Sequence, residues 1–137
     1  MSRESRPKRN EELAKELRCL AQVRLAQEDM ARYGKQIADL EWEMSGHRFN
    51  PILRGYLSGR IRELRGKSEE KNRFVQERLP RYARTYAGIP SDIRESTRMF
   101  NFLVDDVVMG RALTLEDAVE CARARKAADP FWYTFGE

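Results

Sequence analysis

Apolar positions in the first third of the chain recur at helical spacing, but in two registers. Ala26, Met30, Tyr33, Ile37, Leu40 and Met44 follow a 4-3-4-3-4 rhythm, the seam of a packing helix. Upstream, Leu13, Leu17 and Leu20 are also helically spaced, yet the steps from Leu17 to Ala26 are 3-3-3. At about 100° per residue those leucines point well away from the later seam, and Trp42 falls on their side. The pattern predicts one helix from Asn10 to about Met44, roughly 50 Å long and bearing two apolar stripes. One stripe serves a neighbour in the same chain. The other needs the C-terminal region or another subunit, so a homodimer is a reasonable expectation. Asn10 is the expected N-cap, with Glu11 and Glu12 at the positive end of the helix dipole. Residues 1–9 read as a flexible basic arm.

Ser45-Gly46 closes this helix, and Asn50-Pro51 opens the next, with Asn as cap and Pro at the first helical position. The connection is short, so the second helix must return antiparallel. Its seam is Leu53, Leu57, Ile61 and Leu64, resuming at Val75 and Leu79. No large apolar residue lies between Arg65 and Arg73, and Gly66 with Ser68 predicts a break or bend there. Pro80 restarts the chain. A short helix over 81–87 carries Tyr82 and Tyr86. Asp92 with Glu95 then opens a helix whose face is Ile93, Phe100, Leu103, Val104, Val107 and Val108, and which Gly110 stops. Thr114 caps a last helix over 115–127, before Asp129-Pro130 and the aromatic end FWYTFGE. There is no strand pattern and no repeat. The expected fold is all-α: a long antiparallel helical hairpin over 10–79 with a small C-terminal helical cap over 80–137.

Charge sharpens this picture. The 26 basic and 22 acidic side chains give a net +4, but unevenly. Residues 1–50 carry 10 basic and 9 acidic groups, residues 51–90 carry 10 and 4, and residues 91–137 carry 6 and 9. The basic middle suits an anionic partner, or attraction to acidic parts of the same protein. With the apolar residues of the second helix turned inward, Arg54, Arg62, Arg65 and Arg73 border the seam on one flank. Arg60, Lys67, Lys71 and Arg78 border it on the other. Such residues reach across to Glu28, Asp29, Asp39, Glu41 and Glu43 of the first helix, or neutralise phosphates. No aromatic residue alternates with these arginines, so single-strand stacking is not encoded in this segment.

Other motifs exclude more than they assign. "VVMGRALTLEDAVECA" resembles the turn into the second helix of trihelical DNA readers. However, Glu116, Asp117 and Glu120 crowd the start of that helix, and its cations, Arg123, Arg125 and Lys126, come only near its end. His47, the single histidine, has no Cys, Asp or Glu at ligand spacing, so no metal or other cofactor is expected. Asp105 and Asp106 diverge by about 100° on a helix. No phosphate loop or nucleophile elbow is present, which argues against an enzyme. Cys19 and Cys121 form no disulfide framework, and no apolar run spans a membrane, so the cytoplasm is expected. Two functions follow from these features. The first is a small regulatory or mobile-element-type protein whose basic hairpin contacts nucleic acid or a nucleoprotein complex. The second is a protein-interaction module, such as an adaptor, assembly factor or inhibitor, using Leu13, Leu17 and Leu20 or the aromatic Trp132 and Phe135.

Overall fold

A computed structural model of the chain describes residues 5–47 and 49–130. The described residues are all-α: α1 (Ser5–Gly46), α2 (Pro51–Arg78), a 3₁₀ turn (Leu79–Tyr82), α3 (Ala83–Ala87), α4 (Ser91–Glu95), α5 (Thr97–Val108) and α6 (Leu115–Ala128). The chain divides into two compact units. One is the hairpin, residues 22–80. The other joins the chain up to Ala21 with everything from Arg81 onward. The first turns of α1 thus belong with the C-terminal helices and not with the hairpin, which moves the expected boundary at residue 10. Length is the reason: α1 has 42 residues and α2 only 28, so α2 leaves the start of α1 unpaired.

The hairpin forms for the reasons its sequence suggests. Asn50 Oδ1 accepts the Leu53 amide at 3.1 Å and Pro51 follows it, so α2 starts where those residues require. Leu57, Ile61, Leu64 and Val75 are buried along α2. At its far end Val23, Ala26 and Val75 form a core cluster, with Met30, Phe74 and Leu79 packed against it. Cross-links run antiparallel: Arg54 reaches Met44, Arg65 reaches Glu41 and Lys71 reaches Asp29.

The break expected at Gly66–Ser68 is absent, and α2 runs through it. Gly66 is helical, and the one positive-φ glycine among the described residues is Gly110, at φ 77°. A helical glycine costs roughly 1 kcal/mol relative to Ala, too little to break a helix anchored by apolar contacts on both sides.

In the other unit Leu17 and Leu20 are fully buried and Ala14 is 7% exposed, alongside Ile89 of the α3–α4 connection and Ile93, Met99, Phe100, Leu103, Val107, Ala118 and Ala122 of the C-terminal helices. Leu13 is half-buried. The 3-3-3 steps have a structural meaning. Each turns the apolar face of α1 by about 60°, so Leu17 and Leu20 serve this unit while Val23 and Ala26 serve the hairpin. Trp42, on the same helix side as the leucines, is 81% exposed because no element of the hairpin covers that side.

Helix α1 begins at Ser5, so residues 5–9 of the expected arm are helical; Pro7 is tolerated in a first turn, where its missing N–H has no partner to lose. Asn10 is therefore no cap. Its Nδ2 donates to the Ala112 carbonyl at 2.9 Å and to that of Val107 at 3.4 Å, closing the end of α5 onto α1. The helix expected from Asp92 is two helices, because Ser96 leaves helical geometry and its Oγ accepts the Met99 amide at 3.1 Å. Thr114 caps α6 as its sequence indicates, accepting the Asp117 amide at 3.1 Å.

Candidate nucleic-acid interface

The seam of α2 faces α1, so the residues flanking that seam are held along the two edges of the hairpin. On one edge Arg54 Nη1 donates to the Met44 carbonyl at 3.3 Å, which also accepts the His47 amide at 3.1 Å near the end of α1. Arg65 Nη2 lies 3.3 Å from Glu41 Oε1. Arg62 and Arg65 line an open groove with Glu41, Met44, Ser58 and Ile61. Arg62 and Arg73 are exposed, and neither makes an ion pair among the described residues.

On the other edge Arg60 and Lys67 converge on one carboxylate. Arg60 Nη1 is 3.1 Å from Glu63 Oε2, and Lys67 Nζ is 3.5 Å from Glu63 Oε1. The hydrogen bond from Arg60, then the charges of Arg60 and Lys67, hold Glu63 below the ordinary carboxylate pKa. Lys71 Nζ stands 3.4 Å from Asp29 Oδ2. The Arg78 guanidinium lies 4.1 Å from the centroid of the Phe74 ring and 3.8 Å from Glu77.

The decisive quantity is how firmly these cations are held. Arg60, Arg65, Lys67 and Lys71 keep 42–61% of their side-chain surface in water. Lys71 shares the half-buried Asp29 with Arg32, whereas the pairs exposed on both sides, Arg60 and Lys67 with Glu63 and Arg65 with Glu41, contribute about 0–1 kcal/mol and weaken with salt. A polyanion can take such cations from their carboxylates at little cost. The basic edge is therefore neutralised on average but not locked.

The cations of the last helix behave differently. Arg123 makes two hydrogen bonds to Asp92, at 3.1 and 3.3 Å, which hold the Asp92 pKa down and raise that of Arg123. Arg125 Nη2 and Arg111 Nε each reach the buried Asp106 Oδ1 at 2.8 Å. With Ala118, Val119 and Ala122 buried and these arginines engaged, α6 is built into its own unit.

Among the residues expected to bind protein, Leu17 and Leu20 are core and present no free surface. Trp132 and Phe135 lie outside the described residues. Sequence reasoning missed an exposed apolar set at the hairpin tip: Trp42 (81%), Phe49 (87%), Ile52 (86%) and Tyr56 (69%). Their signal was present, since none of them fits either seam, but it became readable only once the covering elements were known. Among the described residues no group of His, Cys, Asp and Glu could hold a metal ion, and no helix is long and apolar enough to cross a membrane.

The class defined by this architecture is an all-α helical hairpin joined to a small helical unit. No family model matches the chain, and neither the curated proteins nor the solved structures contain a significant match.

Proposed function

We propose that this is a binding protein whose basic hairpin contacts nucleic acid, alone or within a nucleoprotein complex. One observation carries the reading: Arg60, Arg62, Arg65, Lys67 and Arg73 of α2 are exposed, with Arg62 and Arg73 unpaired among the described residues and Arg60 and Lys67 held only by the solvent-exposed carboxylate of Glu63. Phosphates arriving along the helix would displace those weak partners and release counterions. A protein-interaction module was the competing expectation. It loses Leu17 and Leu20 to the core and keeps the tail beyond the described residues and the exposed apolar side chains of the hairpin tip.

The test is a binding titration across salt concentrations with mixed-sequence nucleic acids. Log affinity should fall linearly with log salt. Replacing both Arg62 and Arg73 by alanine should weaken binding for all sequences and reduce the slope by about 1 for each phosphate that is no longer neutralised. An unchanged slope in the double variant would remove α2 from the interface.

A further inference from the structure

The hairpin tip carries more apolar surface than its size explains. Trp42 belongs to the last turns of α1, Phe49 to the connection, and Ile52 and Tyr56 to the first turns of α2, and each is at least two-thirds exposed. Single exposed apolar residues are ordinary, but here four large ones fall within 15 positions around one connection.

Two features identify what the surface fits. The first is charge. Ile52, Tyr56 and Arg60 stand four residues apart on α2, so one edge of the helix runs from apolar and aromatic at the tip to Arg60 and Lys67 behind it. Arg60 and Lys67 share the single exposed carboxylate of Glu63, which leaves this step net positive, so an occupant of the tip should be anionic there. The second is direction. Trp42 points away from the α1 seam and Tyr56 leaves the α2 seam by about 100°, so the rings surround the tip instead of forming one flat face. A rigid surface cannot meet all of them. A flexible strand with bases that turn independently can, because each unpaired base has a π-face to stack and a phosphate to place on the cations. A duplex hides its base faces.

We infer that the hairpin tip binds unpaired nucleotides, with Trp42, Phe49 and Tyr56 as stacking platforms and the α2 cations behind them holding the backbone. This rests on the nucleic-acid reading above, narrows it to single strands or the unpaired parts of structured ones, and reverses the expectation that stacking is not encoded in α2, because Tyr56 stands exposed between Arg54 and Arg60.

The chain has two tryptophans, so Trp132→Phe leaves Trp42 as the sole indole reporter. The full-length variant is titrated at low salt with a homopyrimidine strand of about 16 nucleotides, a duplex of equal length, and anionic vesicles containing phosphatidylserine. The single strand should quench Trp42 emission and bind at least about tenfold tighter than the duplex. Phe49→Ala and Tyr56→Ala should each weaken single-strand binding by roughly five- to a hundredfold and leave duplex binding unchanged. Circular dichroism should show both variants folded, as expected for exposed positions.

Equal binding of strand and duplex with unaltered Trp42 emission would overturn the tip assignment while leaving the basic edge in place. Absence of binding to either nucleic acid would overturn both. A blue shift of Trp42 with vesicles, or with rising protein concentration alone, and no response to strands, would assign the tip to a lipid surface or to a second copy of the chain, and the inference fails.

Discussion

Glu63 is the side chain on which the basic edge turns. It holds Arg60 and Lys67 together, and their hydrogen bonds and charges lower its pKa. The replacement Glu63→Gln frees both cations and removes one repulsive charge from the edge. Nucleic-acid affinity at low salt should rise about two- to tenfold, with no measurable change in melting temperature. A fall in affinity would show that Glu63 positions these cations for the ligand instead of competing with it. Acid acts on the same kind of contact. Glu63 and Asp92 have folded pKa values below their unfolded ones, so whatever stability they supply is present above the ordinary carboxylate range. It is lost as pH falls through the lowered values. Stability should therefore be level near neutrality and decline only in acid, and Asp92→Asn should flatten that part of the acid branch in a pH series of thermal melts. At Asp106, buried between two guanidinium groups, the replacement Asp106→Asn should cost about 2–4 kcal/mol, measurable by urea unfolding.

Among the elements, α2 separates two kinds of glycine. Gly66 is helical and an added Cβ meets nothing within 4 Å, whereas Gly110 sits at φ 77°. Gly66→Ala should stabilise the protein by about 0.5–1 kcal/mol, and Gly110→Ala should destabilise it by a similar amount. Denaturant midpoints of the two variants check this; a destabilising Gly66→Ala would restore the bend that Gly66 and Ser68 suggest in the sequence. The break lies instead at Ser96, within a segment that reads as one helix. Both sites carry a serine able to cap. At Ser96 the residue is 7% exposed and its hydroxyl holds the Met99 amide, so burial fixes the cap. Ser68 has the neighbours of a continuous packing helix on both sides.

For the whole molecule, the two units make stability local. Leu17 lies in the core that includes Phe100 and Leu103, while Ile61 and Leu64 belong to the hairpin. Leu17→Ala should cost about 2–5 kcal/mol and should accelerate amide exchange in α5 and α6 far more than in the middle of α2. Uniform acceleration would show that the units unfold as one. The burial of Leu17 and Leu20 also removes the argument for a second subunit on that stripe, because the chain covers it itself.

Sequence alone determined the local architecture. The helical rhythm, the Asn50-Pro51 start, the Thr114 cap and the alternation of seam and charged edge all depend on neighbours within one or two turns, and local chemistry is written locally. Tertiary structure decided which exposed or apolar face meets another. It sent Leu17 and Leu20 to the core and left Trp42 in water, although all three share a helix side. It also brought Trp42, Phe49 and Tyr56 to one end of the hairpin. Periodicity gives the direction of a side chain about its own axis; only the placement of other segments decides whether that direction ends in protein or in solvent.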